Sequence, residues 1–276
     1  MSQENGNKKA YENTCPYCKG TNIIRHGQYN GKQRYRCKHE NCRRTFLLED
    51  KNVFKFSKKF KYMWKDYFNL IIEGATIREC AAKLKISIVT SFMWRHRILD
   101  SFKIENDIDL LREYVELTKI IVKENFKGNR NITTTHRGRV NIVSGIDSNI
   151  NIFSIPLTKS YIQLKHLDKK VFPRIDKKAY VIGFLDRRFD ISAKKHNELG
   201  KNDKSTYKKI DSFLSIKAKR WMKNFYGVAT KFIDYYLEWY IYLYKDNEGK
   251  YDKSTFKIKT YIKWDDIRRK TIQLER

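Results

Sequence analysis

CPYCKGTNIIRHGQYNGKQRYRCKHENC, residues 15–42, carries two cysteine pairs, Cys15-x-x-Cys18 and Cys37-x4-Cys42. A short gap lets one tight turn aim two thiolates at one point. Two such turns complete a tetrahedron, a geometry that zinc accepts without penalty. Four of the chain's five cysteines lie in this stretch, and in a reducing compartment such a cluster reads as metal binding rather than as disulfides. Four ligands leave no open coordination position, so the expected zinc is structural. His39 lies inside the second pair and is the alternative to Cys42 as fourth ligand. Between the pairs, 22–25 and 33–36 read as short strands joined at Asn30-Gly31. These features predict a zinc ribbon over 13–50, behind a polar tail at 1–12. Arg34 and Arg36, among other cations near the knuckles, suit contacts to phosphate.

Outward from the ribbon, charge dominates. Of 276 residues, 59 are Lys or Arg and 31 are Asp or Glu, a formal net charge of +28. Such a field repels itself unless it meets a polyanion, and nucleic acid is the expected partner. A membrane-surface protein would concentrate its charge on one amphipathic helix, whereas here it is spread along the chain. No apolar run reaches the roughly 18 residues needed to span a bilayer. The polar first residues predict no secretory signal and an intracellular location: nucleus in a eukaryote, cytoplasm or nucleoid in a bacterium.

The next patterned stretch is ATIRECAAKLKISIVTSFMWRHRIL, beginning at Ala75. Thr76 is an N-cap with Glu79 three residues on to close a capping box. A helix to about Leu84, a turn at 85–87 and a second helix from about Val89 predict a helix-turn-helix within 55–102. Ala81, Leu84, Ile86 and Phe92 fall on its inner face. The second helix would read DNA, with Thr90, Ser91, Trp94, Arg95 and Arg97 as candidates for the groove. Trp94 serves equally well as a core anchor, and Cys80 reads as a small buried residue.

Taken together, these residues resemble a family. CPYCKG followed by GKQRYRC is similar to the N-terminal ribbon of insertion-sequence transposases. TIRECAAKLKISIVTSFMWRHRIL looks like the helix-turn-helix of the ISXO-type group and its Merlin relatives. RWMKNFYGVATKFIDYYLEWY (220–240) resembles the closing signature of that group. The resemblance implies an α/β RNase H-like core, a mixed sheet with flanking helices, over 108–245. It also implies two aspartates and a third polar residue holding two divalent metals, Mg or Mn, for DNA strand cleavage and transfer. Double-stranded DNA with terminal inverted repeats would be the partner, and the chain could act as a homo-oligomer.

At the implied metal positions the sequence departs from the family. The Phe126-Lys-Gly128 landmark sets Thr118 where the first aspartate belongs, with Lys119 in place of the acidic residue after it. A hydroxyl is a poor substitute ligand; Glu116, two residues earlier on the same strand face, is the alternative. Asp186, after the strand 179–185, is the natural second carboxylate, although counting back from Ala193 lands on Phe184. The third position falls on Asp211, which as Asp before Ser also reads as an N-cap. Asp147 reads as turn chemistry.

Strands are expected at 113–122, 138–147, 150–157 and 179–185, and helices near 160–170, 187–197, 211–225 and 228–244. The extension 246–276 is basic, and the alternation from Phe256 to Lys263 predicts a strand. The reading favoured here is a transposase-derived DNA-binding protein with an impaired metal site. The alternatives are an active transposase using Glu116, Asp186 and Asp211, and a basic RNA-associated or structural protein.

Overall fold

The computed structural model describes residues 14–275 apart from 16, 19, 30, 48–53, 55–56, 58, 107–109, 129–136, 185, 204–213, 226, 259–261, 263 and 273. The chain divides into two units, Met1–Asn52 and Val53–Arg276.

In the first unit, β1 (Ile23–Tyr29) and β2 (Lys32–Cys37) form an antiparallel pair, and β3 (Thr45–Leu47) joins the far side of β2. Gly31, in the connection between β1 and β2, has φ of 72°, the left-handed conformation that a tight hairpin needs. Tyr35 stands opposite Phe46 and their rings stack at 6.3 Å. With Cys15 and Cys37 they make a very small core. So small an apolar cluster among the described residues is what a metal-stabilised ribbon would show.

The second unit begins with three helices, α1 (Phe60–Ile72), α2 (Ile77–Lys83) and α3 (Ile88–Glu105). The capping box forms as read: the Glu79 amide donates to Thr76 Oγ1, and the Thr76 amide donates to Glu79 Oε2. Lys85 takes φ of 50° in the turn between α2 and α3, and Ser87 caps α3 by accepting from the Thr90 amide. The strands that follow are β4 (Tyr114–Lys123), β5 (Arg139–Asp147), β6 (Ile152–Thr158) and β7 (Tyr180–Gly183). Helix α4 (Leu164–Lys170) precedes β7. After it come α5 (Arg187–Gly200), α6 (Leu214–Met222), α7 (Ile233–Asn247) and a short α8 (Trp264–Arg269).

The sheet order is β6-β5-β4-β7. β4 pairs antiparallel with β5 and parallel with β7, and β5 pairs antiparallel with β6. Side chains alternate across the sheet, and each face has its own core. Val115, Leu117 and Val181 pack with Leu167 of α4 and Phe189 and Ala193 of α5. Ile120, Ile142 and Ile146 pack with Ala218 of α6 and Ile233, Leu237 and Ile241 of α7.

Two expectations need correction. Residues 55–102 were expected as a domain separate from 108–245, but α1–α3 have no core of their own. Phe60, Trp94, Ile98 and Phe102 share one cluster with Tyr235, Trp239 and Tyr242 of α7. The aromatic helix α7 lies between the helical layer and the sheet and joins them. Of the predicted strand over 256–263, the described residues show no strand: 253–255 form a 3-10 turn and 256–258 follow without strand pairing. Phe256 and Ile258 are buried in the helical core, with the Phe256 ring stacked on Phe68 at 4.4 Å. The alternation there serves packing against helices; 259–261 and 263 lie outside the described residues. No helix of the described residues is long and apolar enough to cross a membrane.

Candidate functional site

The ribbon knuckles bring four sulfurs together. The ligand atoms of Cys15, Cys18, Cys37 and Cys42 all lie within 4.8 Å of one another. Cys15 and Cys42 Sγ are 3.7 Å apart, and Cys18 and Cys37 Sγ are 3.6 Å apart. Four thiolates about 2.3 Å from one tetrahedral ion would stand about 3.8 Å apart, so the cluster fits a structural zinc. Backbone turns set this spacing. The Cys15 amide donates to the Gly20 carbonyl, and the Cys42 and Arg43 amides both donate to the His39 carbonyl. His39 thus closes the knuckle through its backbone, its ring lies over Gly20, and Cys42 supplies the fourth sulfur. Burial raises the Cys15 thiol, but the amides of Cys18 and Tyr17 outweigh it and hold the group down to about 7. In the same cluster, burial and the neighbouring thiols push Cys37 up to about 12 and raise Cys42, so Cys15 is the most easily ionised of these three. Arg34 and Arg36 share the strand face opposite Tyr35 and Cys37. Arg36 is exposed and Arg34 half-buried.

The sheet does not gather its expected carboxylates. Strand register pairs Leu117 with Gly183, and the Phe184 amide continues the ladder by donating to the Leu117 carbonyl. Thr118 therefore stands beside Phe184, with Ser144 on its other side. Thr118 is buried and its hydroxyl has no hydrogen-bond partner among the described residues. Glu116 is buried on the same face, one pair of residues back along β4.

Asp186 goes to the other face. It caps α5 by accepting from the Arg188 amide at 3.0 Å. Its Oδ2 accepts from Lys119 Nζ at 2.5 Å and its Oδ1 from Arg188 Nε at 2.9 Å. Lys119 alternates with Thr118 and points away from it. Burial pushes the Asp186 carboxyl up, but Lys119 and Arg188 overcome that and hold it below the usual carboxylate range. Gly183 permits this layout, because a Cβ there would lie 2.5 Å from Phe189 Cβ and collide with the first turn of α5. The expected set of Glu116 and Asp186 is thus divided by the sheet, and Asp211 lies outside the described residues. Among the described residues, the four cysteines form the only group of three or more potential metal ligands. Asp147 behaves as turn chemistry, accepting from the amides of Asn149, Asn151 and Arg112.

The helical corner also departs from expectation. Ser91, Arg95 and Arg97 were read as candidates to face a groove, and all three are buried; Trp94, read equally as a core anchor, is buried as well. Ser91 Oγ donates to the Ile77 carbonyl, and the Tyr67 hydroxyl donates to the Ser91 carbonyl. Trp94 packs on Phe60 at 5.0 Å and edge-on to Tyr67 at 5.6 Å. Arg95 Nη2 donates to the Ala75 carbonyl, and its guanidinium lies over Trp239 of α7 at 5.3 Å. Arg97 covers the Phe60 ring at 5.6 Å. Thr90 is half-buried beside its cap. The outward positions are instead Ile88 and Val89 (56% and 59% exposed), with Arg78, Lys83 and Lys85 nearby on the corner. A solvent-facing apolar pair at the start of a helix was the available signal for them.

Over 133 residues the chain is 29% identical to an uncharacterized protein in transposable element ISH50 of Halobacterium salinarum. The match covers 45% of this chain and 44% of that protein, less than half of either. No family model matches the chain, and no solved structure matches it.

Proposed function

We propose that this protein is a DNA-binding protein of transposase descent whose strand-cleavage site no longer holds metal. Descent is supported by the likeness to a protein of a transposable element and by the sheet. Three antiparallel strands with a fourth parallel to the first strand of the sheet, in the order β6-β5-β4-β7 and flanked by helices, agree with the mixed sheet that the resemblance implies. Loss of cleavage rests on one observation above all: register sets Thr118 beside Phe184, where two metal ions would need two carboxylates. Asp186, the nearest replacement, is on the opposite face and is neutralised by Lys119 and Arg188.

Binding is assigned to the basic ribbon and to the outer face of the α2–α3 corner. Arg36 in the ribbon, with Arg78, Lys83 and Lys85 on the corner, supplies phosphate contacts. Ile88, Val89 and Thr90 at the start of α3 meet base edges. A net charge of +28 supplies the sequence-independent part of the affinity. The test is duplex binding across a salt series combined with nicking of supercoiled plasmid in manganese. Tight, salt-sensitive binding without nicking supports the proposal. Manganese-dependent nicking by the unmodified chain overturns its catalytic half, and absence of binding at low salt overturns the other.

A further inference from the structure

A cavity of about 710 Å³ opens in the second unit where the strings singled out in the sequence converge. It lies among the α2–α3 corner, the Lys127-Gly128 loop, the segment leading into α7, and α8. The loop is tied to that segment: the Thr230 amide donates to the Asn125 carbonyl, and the Asn125 amide donates to Thr230 Oγ1. Gly227 lets them meet, because a Cβ there would lie 2.3 Å from the Asn125 side-chain nitrogen. The volume falls within the roughly 300–1,000 Å³ of small-ligand sites.

Its lining is chemically one-sided. Arg78, Arg95, Lys127, Lys231 and Arg268 line it, and among the described residues no Asp or Glu does, although the chain carries 31 acidic residues. Its apolar surface is largely aromatic. Phe92 meets Trp264 edge-on at 6.1 Å and Phe232 at 5.8 Å, and Trp264 is 41% exposed. Buried polar groups without partners among the described residues belong to the same wall, namely His96 Nε2 and Arg95 Nε. An anionic ligand with a flat ring and a hydrogen-bonding edge matches these features together: phosphate for the cations, ring for the aromatics, edge for the polar wall.

We infer that this cavity holds one unpaired nucleotide of a bound DNA strand. This rests on the DNA-binding reading above and deepens it. Four of the cations come from four separate segments: Arg78 from α2, Lys127 from the loop, Lys231 from the approach to α7 and Arg268 from α8. A strand that enters and leaves the cavity meets positive charge on each side. The nucleotide is unpaired because a base reaches an aromatic cavity only after leaving its stack, and a strand end or a mismatch makes that step easiest.

The experiment uses the full zinc-loaded chain and a short duplex ending in a one-nucleotide overhang of 2-aminopurine, a fluorescent base. A blunt duplex of the same sequence is the control. The overhang is expected to tighten binding about tenfold, the order expected for one base stacked on an aromatic side chain, and its fluorescence to be quenched. Trp264→Ala and Arg268→Glu alter exposed side chains, so the fold is retained. Both are expected to remove the overhang's advantage and leave blunt-duplex affinity within about twofold. Equal affinity for both duplexes without quenching overturns the nucleotide site and leaves DNA binding standing. Absence of binding to either duplex at low salt overturns both readings. Preference for an RNA overhang, or equal quenching by free 2-aminopurine nucleotide with no help from the duplex, overturns the assignment to a DNA strand.

Discussion

Arg95→Ala tests whether α3 reads DNA with this residue or packs with it. Arg95 is 1% exposed. Its guanidinium donates to the Ala75 carbonyl at 2.5 Å and to Cys80 Sγ at 3.6 Å, and lies over Trp239 at 5.3 Å. Losing one hydrogen bond to a charged donor costs about 1.5–3 kcal/mol. The emptied volume beneath Trp239 adds a cavity cost and brings the total to about 3–5 kcal/mol. For a unit of this size each kcal/mol moves Tm by about 2–4 °C, so the expected fall is about 6–20 °C. Thermal unfolding followed by circular dichroism reads it, with the exposed Arg36→Ala as a control expected to stay within about 2 °C. An unchanged Tm combined with weakened DNA binding would refute the buried assignment and return Arg95 to the groove.

Other perturbations have equally definite outcomes. Cys42→Ser is expected to abolish stoichiometric zinc and unfold the ribbon, whereas His39→Ala keeps one zinc per chain; metal analysis by mass spectrometry distinguishes them. Burial pushes the Glu238 carboxyl up to about 7 against the Asn106 hydrogen bond that lowers it. A raised acid is protonated when folded, so it lowers stability as pH rises from about 4.3 to about 7. Glu238→Gln should remove that loss, at most about 3 kcal/mol, in denaturant titrations at pH 5 and 8. Asp186 has the opposite sign. Its lowered carboxyl contributes stability above the ordinary range near pH 3.9, lost as pH falls through the folded value. Lys119→Met should therefore move the acid-unfolding midpoint upward, and an unmoved midpoint would deny the ion pair.

Regular elements could be read from the sequence because their signals are local. The apolar runs of β4, β5 and β6 and the Thr76–Glu79 capping box need only neighbouring residues. Strand β3 escaped notice because Thr45-Phe-Leu47 is too short to show a period. The burial of Arg95 and Arg97 was not legible, since an arginine on a helix looks the same facing a groove or facing Trp239. What decides it for Arg95 is Trp239 of α7, some 140 residues further along the chain, and for Arg97 it is Phe60 of α1. Likewise the neighbour of Thr118 depends on the pairing of β4 with β7. Counting along the chain left Phe184 and Asp186 both open; the hydrogen bond from Phe184 to Leu117 sets Phe184 beside Thr118 in the ladder. The alternation at Phe256 and Ile258 misled because burial against a helical layer needs no sheet partner.

The proposed loss of a carboxylate pair at Thr118 and Phe184 is tested most directly by putting the pair in place. Supercoiled plasmid carrying the ends that the protein binds is incubated with manganese and either the unmodified chain or Thr118→Asp combined with Phe184→Asp. The account predicts that both chains bind, that the unmodified chain leaves the plasmid intact, and that the restored pair produces nicks. Manganese-dependent nicking by the unmodified chain, abolished by Asp186→Asn or Glu116→Gln, would contradict it.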